Sequence, residues 1–235
     1  MSIEKYREKR SFDKTPEPEP SLPKHRGPHP LTFCVQRHHA TNLHYDFRLE
    51  LDGALKSWAV PKGPTLDPIE KRLAMMVEDH PYDYAHFEGT IPEGNYGAGT
   101  VMIWDIGTWE NLGPDPQEGL KKGKLHFRLE GRKLKGEWAL VQMHGPRATK
   151  GNEWLLLKHG TAQKPVSAKQ DDTSAVSGRS MAEISGPHSR KWISHRSVNG
   201  ASAANGPPAK SFKNRVALMA RKIESKGRKT RAMRH

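Results

Sequence analysis

Along His44-Tyr45-Asp46-Phe47-Arg48-Leu49-Glu50-Leu51, polar and apolar side chains alternate without a break. An extended strand sends successive side chains to opposite faces, so the stretch reads as a strand buried on one side. Tyr45, Phe47, Leu49 and Leu51 then face a core, and His44, Asp46, Arg48 and Glu50 line the other surface. Two ligand-type side chains followed by a guanidinium form the arrangement needed to hold a divalent cation beside a phosphate. Further short β-type runs at 32–38, 55–60, 73–80, 100–105, 124–129, 136–143 and 153–158 are separated by Gly, Pro and Asp. This spacing, with little helical periodicity, predicts an all-β, mainly antiparallel fold: a closed sheet, a barrel or a sandwich. Trp58, Trp104, Trp109, Trp138 and Trp154 all fall inside this region and supply the bulk for its core.

The flanks read differently. Residues 2–10 suit a short helix, and Pro16, Pro18, Pro20, Pro23, Pro28 and Pro30 then force an irregular segment. The expected organisation is an arm at 1–30 wrapping the body, a β domain at 31–160, a linker with a short helix at 161–184 and a basic, disordered tail at 185–235. Hydrophobic residues make up 34% of the chain, below the roughly 45–50% usual for packed domains, which fits substantial unpacked flanks. The one cysteine, Cys34, excludes a disulfide framework and any multi-thiolate metal site, and reads as a small core residue. With no apolar run long enough to span a membrane and no secretory leader, the expectation is a soluble cytoplasmic protein. Residues 185–235 hold 13 Lys/Arg and a single acid, Glu224, so nearly the whole net charge of +13 lies in the tail. Polycationic ends of this kind bind nucleic acid through phosphate neutralisation.

Parity extends to the preceding run. Cys34, Gln36 and His38 share a face, with Phe33 and Val35 opposite. A hairpin through His39-Ala40-Thr41-Asn42 brings His38 near His44 and Asp46. Two imidazoles and a carboxylate suit Mn²⁺, Co²⁺ or Zn²⁺, and the ligand count does not choose among them.

The stretch from Gln36 to Glu50 resembles the signature of the 3′-phosphoesterase domain of bacterial ligase D. The likeness continues through Ser57-Trp58-Ala59-Val60-Pro61-Lys62-Gly63-Pro64, Val77-Glu78-Asp79-His80-Pro81, Glu88 to Thr100 and Lys135-Gly136-Glu137-Trp138. The resemblance covers about residues 5–160 and implies a stand-alone member: a small β-barrel with short flanking helices, dependent on Mn²⁺ or a similar metal. It implies removal of a 3′-terminal ribonucleoside from a DNA or RNA/DNA primer strand, then of the remaining 3′-phosphate, to leave a 3′-hydroxyl. By the same resemblance His38, His44 and Asp46 match the metal ligands, and Arg48, His80 and Tyr84 the phosphate contacts. Gln36, Lys62 and Glu78 match further active-site groups, and Arg10 and Glu17 contribute from the arm. Ser11 stands where the family often has an acidic residue. The implied setting is the prokaryotic cytoplasm, in association with the nucleoid and with an end-joining ligase and polymerase in trans; a monomer is the default expectation. A different class of reading is a non-catalytic DNA-end-binding accessory, and a third is a phosphatase for small nucleotides.

Overall fold

The computed structural model describes residues 3–20, 29–145, 148 and 150–186. Part of the proline-rich arm and nearly all of the basic tail therefore lie outside the described residues. Ten strands occur among those described: β1 (Leu31–His39), β2 (Leu43–Leu51), β3 (Ala54–Val60), β4 (Lys71–Met76), β5 (His80–Pro81), β6 (Gly89–Ile91), β7 (Gly99–Asn111), β8 (Lys124–Glu130), β9 (Lys135–Gln142) and β10 (Glu153–Lys158). Eight of them follow one another as β1-β2-β3-β4-β10-β9-β8-β7, and β7 pairs again with β1. The result is a closed antiparallel barrel of eight strands. The short β5 adds to β3 and the short β6 to β7.

Local chemistry sets the register of the functional wall. β2 turns into β3 through Asp52 and Gly53, both at positive φ (54° and 74°), with Leu51 opposite Ala54. Asp-Gly is a favoured pair for such two-residue turns, whose twist matches that of the strands. The alternation in β2 then places Tyr45, Phe47 and Leu49 in the barrel interior. There they join Phe33, Val35, all five tryptophans of the β region, Phe127, Leu129 and Leu140.

The outer face of the same wall is also covered. Cys34, Leu55, Val101, Ile103 and Ile106 form a second cluster with Tyr84, Ala85 and Phe87, near the 3₁₀ turn Tyr82–His86. Tyr6 of helix α1 (Ile3–Glu8) belongs to this cluster and is fully buried.

The structure departs from the pattern in three places. The run expected at 73–80 ends as a strand at Met76, opposite Trp58 of β3, and resumes at His80, opposite Leu55 farther along the same strand. Helix α2 (Pro116–Lys121), absent from the pattern reading, is capped by Asp115 accepting from the Gln117 amide. The segment expected as a linker packs on the barrel as a strap. It carries α3 (Ala168–Asp171) and α4 (Met181–Ser185), each opened by a capping box, Ser167/Gln170 and Ser180/Glu183. Asp171 accepts from Tyr45 Oη (2.8 Å) and Trp104 Nε1 (2.9 Å), and Glu88 accepts from Ser174, Ser177 and Arg179. Met181 and Ile184 enter the interior cluster.

Phe47 lies directly behind the wall, between Asp46 and Arg48, and is fully buried. Phe47→Ala should lower the unfolding free energy by about 4 kcal/mol, the lost transfer energy plus the cavity, measured by urea denaturation.

Candidate active site

The hairpin of β1 and β2 sets His38 opposite His44, Gln36 opposite Asp46 and Cys34 opposite Arg48. One ligand atom each from His38, His44 and Asp46 lies within 4.8 Å of the other two. Asp46 Oδ2 is 3.8 Å from His38 Nδ1, and Asp46 Oδ1 is 3.7 Å from His44 Nε2. The His44 Nδ1–H donates to the Asn42 carbonyl (2.9 Å), which fixes a tautomer with its lone pair on Nε2, towards the carboxylate. His38 Nε2 is buried without a hydrogen-bond partner. A buried imidazole nitrogen is rarely orphaned, so the trio fits a cation of the borderline class that takes nitrogen and oxygen donors together. Asp46 stays ionised: burial alone would raise its pKa, but Arg48 and the two histidines hold it well below the carboxylate range. The opening is at His44, whose side chain is 25% exposed.

Beside this trio Arg48 is 2% exposed. Its Nε donates to Gln36 Oε1 (2.8 Å), Nη1 to Ser57 Oγ (2.8 Å) and Nη2 to Asp46 Oδ2 (3.1 Å), and Nη1 also lies 2.9 Å from His80 Nδ1. Of the guanidinium's N–H groups, the Nη2 hydrogen not given to Asp46 is left for an outside oxygen; the His80 Nδ1 facing Nη1 also lies 2.9 Å from the Glu78 carbonyl, to which its N–H can donate. A two-point grip on phosphate therefore requires one internal bond to be exchanged. Gln36, fully buried, completes the bracket by donating to the Tyr84 and Phe87 carbonyls.

His80 sits with a guanidinium at each ring nitrogen, Arg48 at Nδ1 and Arg10 Nη2 at 3.4 Å from Nε2. Burial first, then Arg48 and Arg10, push its pKa well below the usual 6.5, so the ring is neutral. Tyr84 meets the His80 ring edge-on at 4.8 Å and donates to Glu17 Oε1 at 3.2 Å. Burial and the Glu17 charge push the phenol well above its ordinary range, so Tyr84 is a donor here.

The arm closes the site from outside. Arg10 Nε donates to Glu17 Oε1 (2.8 Å) and Nη1 to Glu78 Oε1 (3.3 Å), and the guanidinium stacks 3.9 Å from the centre of the Tyr6 ring. Tyr6 Oη donates to the Pro18 carbonyl (2.8 Å) and so ties the two ends of the arm together. Glu78 also accepts from Lys9 (3.1 Å). Burial would raise its pKa, but its backbone hydrogen bond, Lys9 and Arg10 together lower it. Ser11 and Asp13 are exposed, and the Ser11 carbonyl only closes a local turn to Lys14 and Thr15.

The structure thus gathers Arg10, Glu17, Gln36, Arg48, Glu78, His80 and Tyr84 beside the His38–His44–Asp46 trio. Lys62 lies in the turn that follows β3. It is exposed and lines a cleft with Tyr45, Arg72, Trp104 and Asp171. Val60, the last residue of β3, pairs with Tyr45. Sequence reasoning missed Ser57, Tyr6 and Lys9. Ser57 was recoverable, because a β2–β3 hairpin through Asp-Gly puts it opposite Arg48. Tyr6 and Lys9 carry no local signal, since their place depends on how the arm folds back.

Residues 36–142 match the model of the DNA Ligase D 3′-phosphoesterase domain. The chain is 56% identical over 156 residues to the multifunctional non-homologous end joining protein LigD of Pseudomonas aeruginosa, covering 66% of this chain and 18% of that protein. It is 44% identical over 166 residues to the LigD end-joining repair protein of Mycobacterium tuberculosis, covering 69% and 20%. A third relative, LigD of Mycolicibacterium smegmatis, is 44% identical over 155 residues, 64% and 19%. The chain spans about a fifth of the length of the curated relatives it matches.

Two outcomes check the site. Calorimetric titration with Mn²⁺ should give a single-site isotherm for the wild type, weakened at least tenfold in Asp46→Asn. For His80, a folded pKa below the unfolded value lets the unfolded chain take up the extra proton, so stability is full above about pH 6.5 and falls below it. Between pH 6.5 and 5, His80→Gln should lose stability less steeply than wild type, by up to about 1.4 kcal/mol per pH unit in chemical denaturation.

Proposed function

Because residues 36–142 form a domain resembling the 3′-phosphoesterase domain of DNA ligase D, we propose that this chain is a divalent-metal-dependent hydrolase processing DNA 3′ ends for end joining. The observation that carries the reading is the trio's carboxylate, which holds Arg48 at 3.1 Å while facing two imidazoles at 3.7 and 3.8 Å. Its substrates are primer strands ending in a ribonucleoside or a 3′-phosphate. Its working metal is Mn²⁺, held by His38, His44 and Asp46; Co²⁺ or Zn²⁺ suits the same donors. When bound, such an ion polarises a phosphoryl oxygen and lowers the pKa of a coordinated water.

Charge balance supports the same reading. Arg48, Arg10 and Lys9 offset Asp46, Glu78 and Glu17 within the network, with His80 neutral. A divalent ion then leaves an excess of two positive charges, which matches a phosphate monoester dianion. In the diester step a water oxygen bonds to phosphorus as the bond to the terminal nucleoside's 5′-oxygen breaks, leaving a 3′-phosphate. In the monoester step a second water displaces the 3′-oxygen, which departs as hydroxyl with inorganic phosphate.

Arg48 offers its free Nη2 hydrogen to a non-bridging oxygen and offsets charge in the transition state. His80, held neutral, orients Arg48 and is not the acid of the free enzyme. Arg10, Glu78, Glu17 and Tyr84 hold that ring in place, and Gln36 fixes the guanidinium. Lys62, exposed in the turn after β3, is left to contact the nucleic-acid strand. The protein acts as a monomer in the bacterial cytoplasm, supplying 3′-hydroxyl ends to a ligase and polymerase, and the tail of residues 185–235 adds sequence-independent affinity.

A 3′-phosphorylated primer incubated with Mn²⁺ should yield a 3′-hydroxyl strand and phosphate. His44→Ala and Arg48→Ala should each lower kcat/KM at least 100-fold by gel assay. No Mn²⁺-dependent product from the wild type would overturn the enzyme reading in favour of the DNA-end-binding accessory. Removing residues 187–235 should leave turnover on a short strand nearly unchanged while flattening the dependence of log Kd on log salt. An unaltered slope would remove the tail from substrate binding.

A further inference from the structure

Between β6 and β7 a loop carries Glu93-Gly94-Asn95-Tyr96-Gly97-Ala98-Gly99, and Tyr96 is 50% exposed at its crest. Scattered exposed aromatics need no explanation. This one is set apart by what fixes it and by what lies beside it. A side chain at Gly99 would come within 2.4 Å of the His39 carbonyl, and one at Gly97 would come within 3.9 Å of His38 Cε1. The base of the loop is therefore pressed against the strand that supplies a candidate metal ligand, and Tyr96 stands one residue from that contact. The Ala98 amide donates to the Asn95 carbonyl (3.1 Å), and Asn95 Nδ2 donates to the Pro92 carbonyl (3.1 Å), so the loop is held by its own bonds.

Two cations approach the ring. Lys9 Nζ lies 4.6 Å from its centre and 3.3 Å from its hydroxyl, and Arg10 Cζ lies 5.3 Å from its centre. The ring is thus anchored to the arm yet half open to solvent. A flat aromatic surface flanked by cations is the pairing that single-stranded nucleic acids use, with the base on the ring and the backbone on the charge.

We infer that Tyr96 is the stacking platform for the base of the nucleotide whose 3′-phosphate enters the site, with Lys9 and Arg10 of the arm holding the ring in place. This rests on the 3′-end reading above and extends it by naming a base subsite. It explains how a strand end is held still while Arg48 commits one free N–H to the phosphate. Stacking is indifferent to base identity, so the subsite selects a strand terminus that carries a base without selecting its sequence.

The test uses the full chain and two fluorescent strands, each 3′-phosphorylated, one ending in a normal thymidine nucleotide and one in an abasic unit. Anisotropy titrations in EDTA prevent turnover. Wild type should bind the abasic end about tenfold more weakly, the size expected for one lost stack. Tyr96→Ala should bind both strands with the affinity wild type shows for the abasic one, and Tyr96→Trp should restore discrimination. Equal binding of the two ends by wild type, or full discrimination by Tyr96→Ala, would overturn the subsite. Phosphate release from the thymidine strand by wild type with Mn²⁺ reports separately on the hydrolase, so failure of one reading is distinguishable from failure of the other.

Discussion

A full positive charge buried almost out of reach of water governs this site. Removing a guanidinium from solvent costs several kcal/mol unless its N–H groups and charge are met. The chain meets those of Arg48 from four strands: Gln36 on β1, Asp46 on β2, Ser57 on β3 and His80 on β5. β2 lies between β1 and β3, so the residues flanking Arg48 follow directly from register. His80 is brought in because β5 docks on β3 at Leu55. The same cation lowers the pKa of both neighbours: against the effect of burial it holds Asp46 charged, and after burial, together with Arg10, it holds His80 neutral.

That arrangement requires a wall packed on both sides. The interior face is apolar and filled by aromatics, and the exterior face carries the polar network under Tyr6, Tyr84 and Phe87. Along β2 only Leu43 and His44 escape burial. Glu50 shows the consequence. Alternation puts it on the polar face, and there it is 2% exposed, taking the Thr32 amide at 2.8 Å and His29 at 2.7 Å. The exterior of this barrel is a second interior over the length of the site.

Much of this was legible in the residues. Period-two alternation gave the hairpin of β1 and β2 and the convergence of His38, His44 and Asp46, because two-residue periodicity and a short connection are local properties. Tryptophan placement located the core for the same reason. What escaped depended on non-local packing. Glu78 and His80 were expected side by side on one strand, and they do meet Arg10 together, but the chain leaves β4 at Met76 before His80 joins β3. Residues 161–184 look like a linker with a short helix by composition, and nothing local says that the segment docks on the barrel. Lys62 lies within a matched stretch, but in the turn beyond β3, where strand alternation no longer says which way a side chain faces.

Closure of the sheet has a further consequence. Open sheets end in rows of unpaired amides and carbonyls that can recruit a strand from another molecule. Here β1 meets β7 and β4 meets β10, so the eight-stranded ring has no such margin, and the outlying β5 and β6 are only two and three residues long. A chain with this build can crowd beside nucleic acid or other proteins at high local concentration with little surface that templates intermolecular β-pairing.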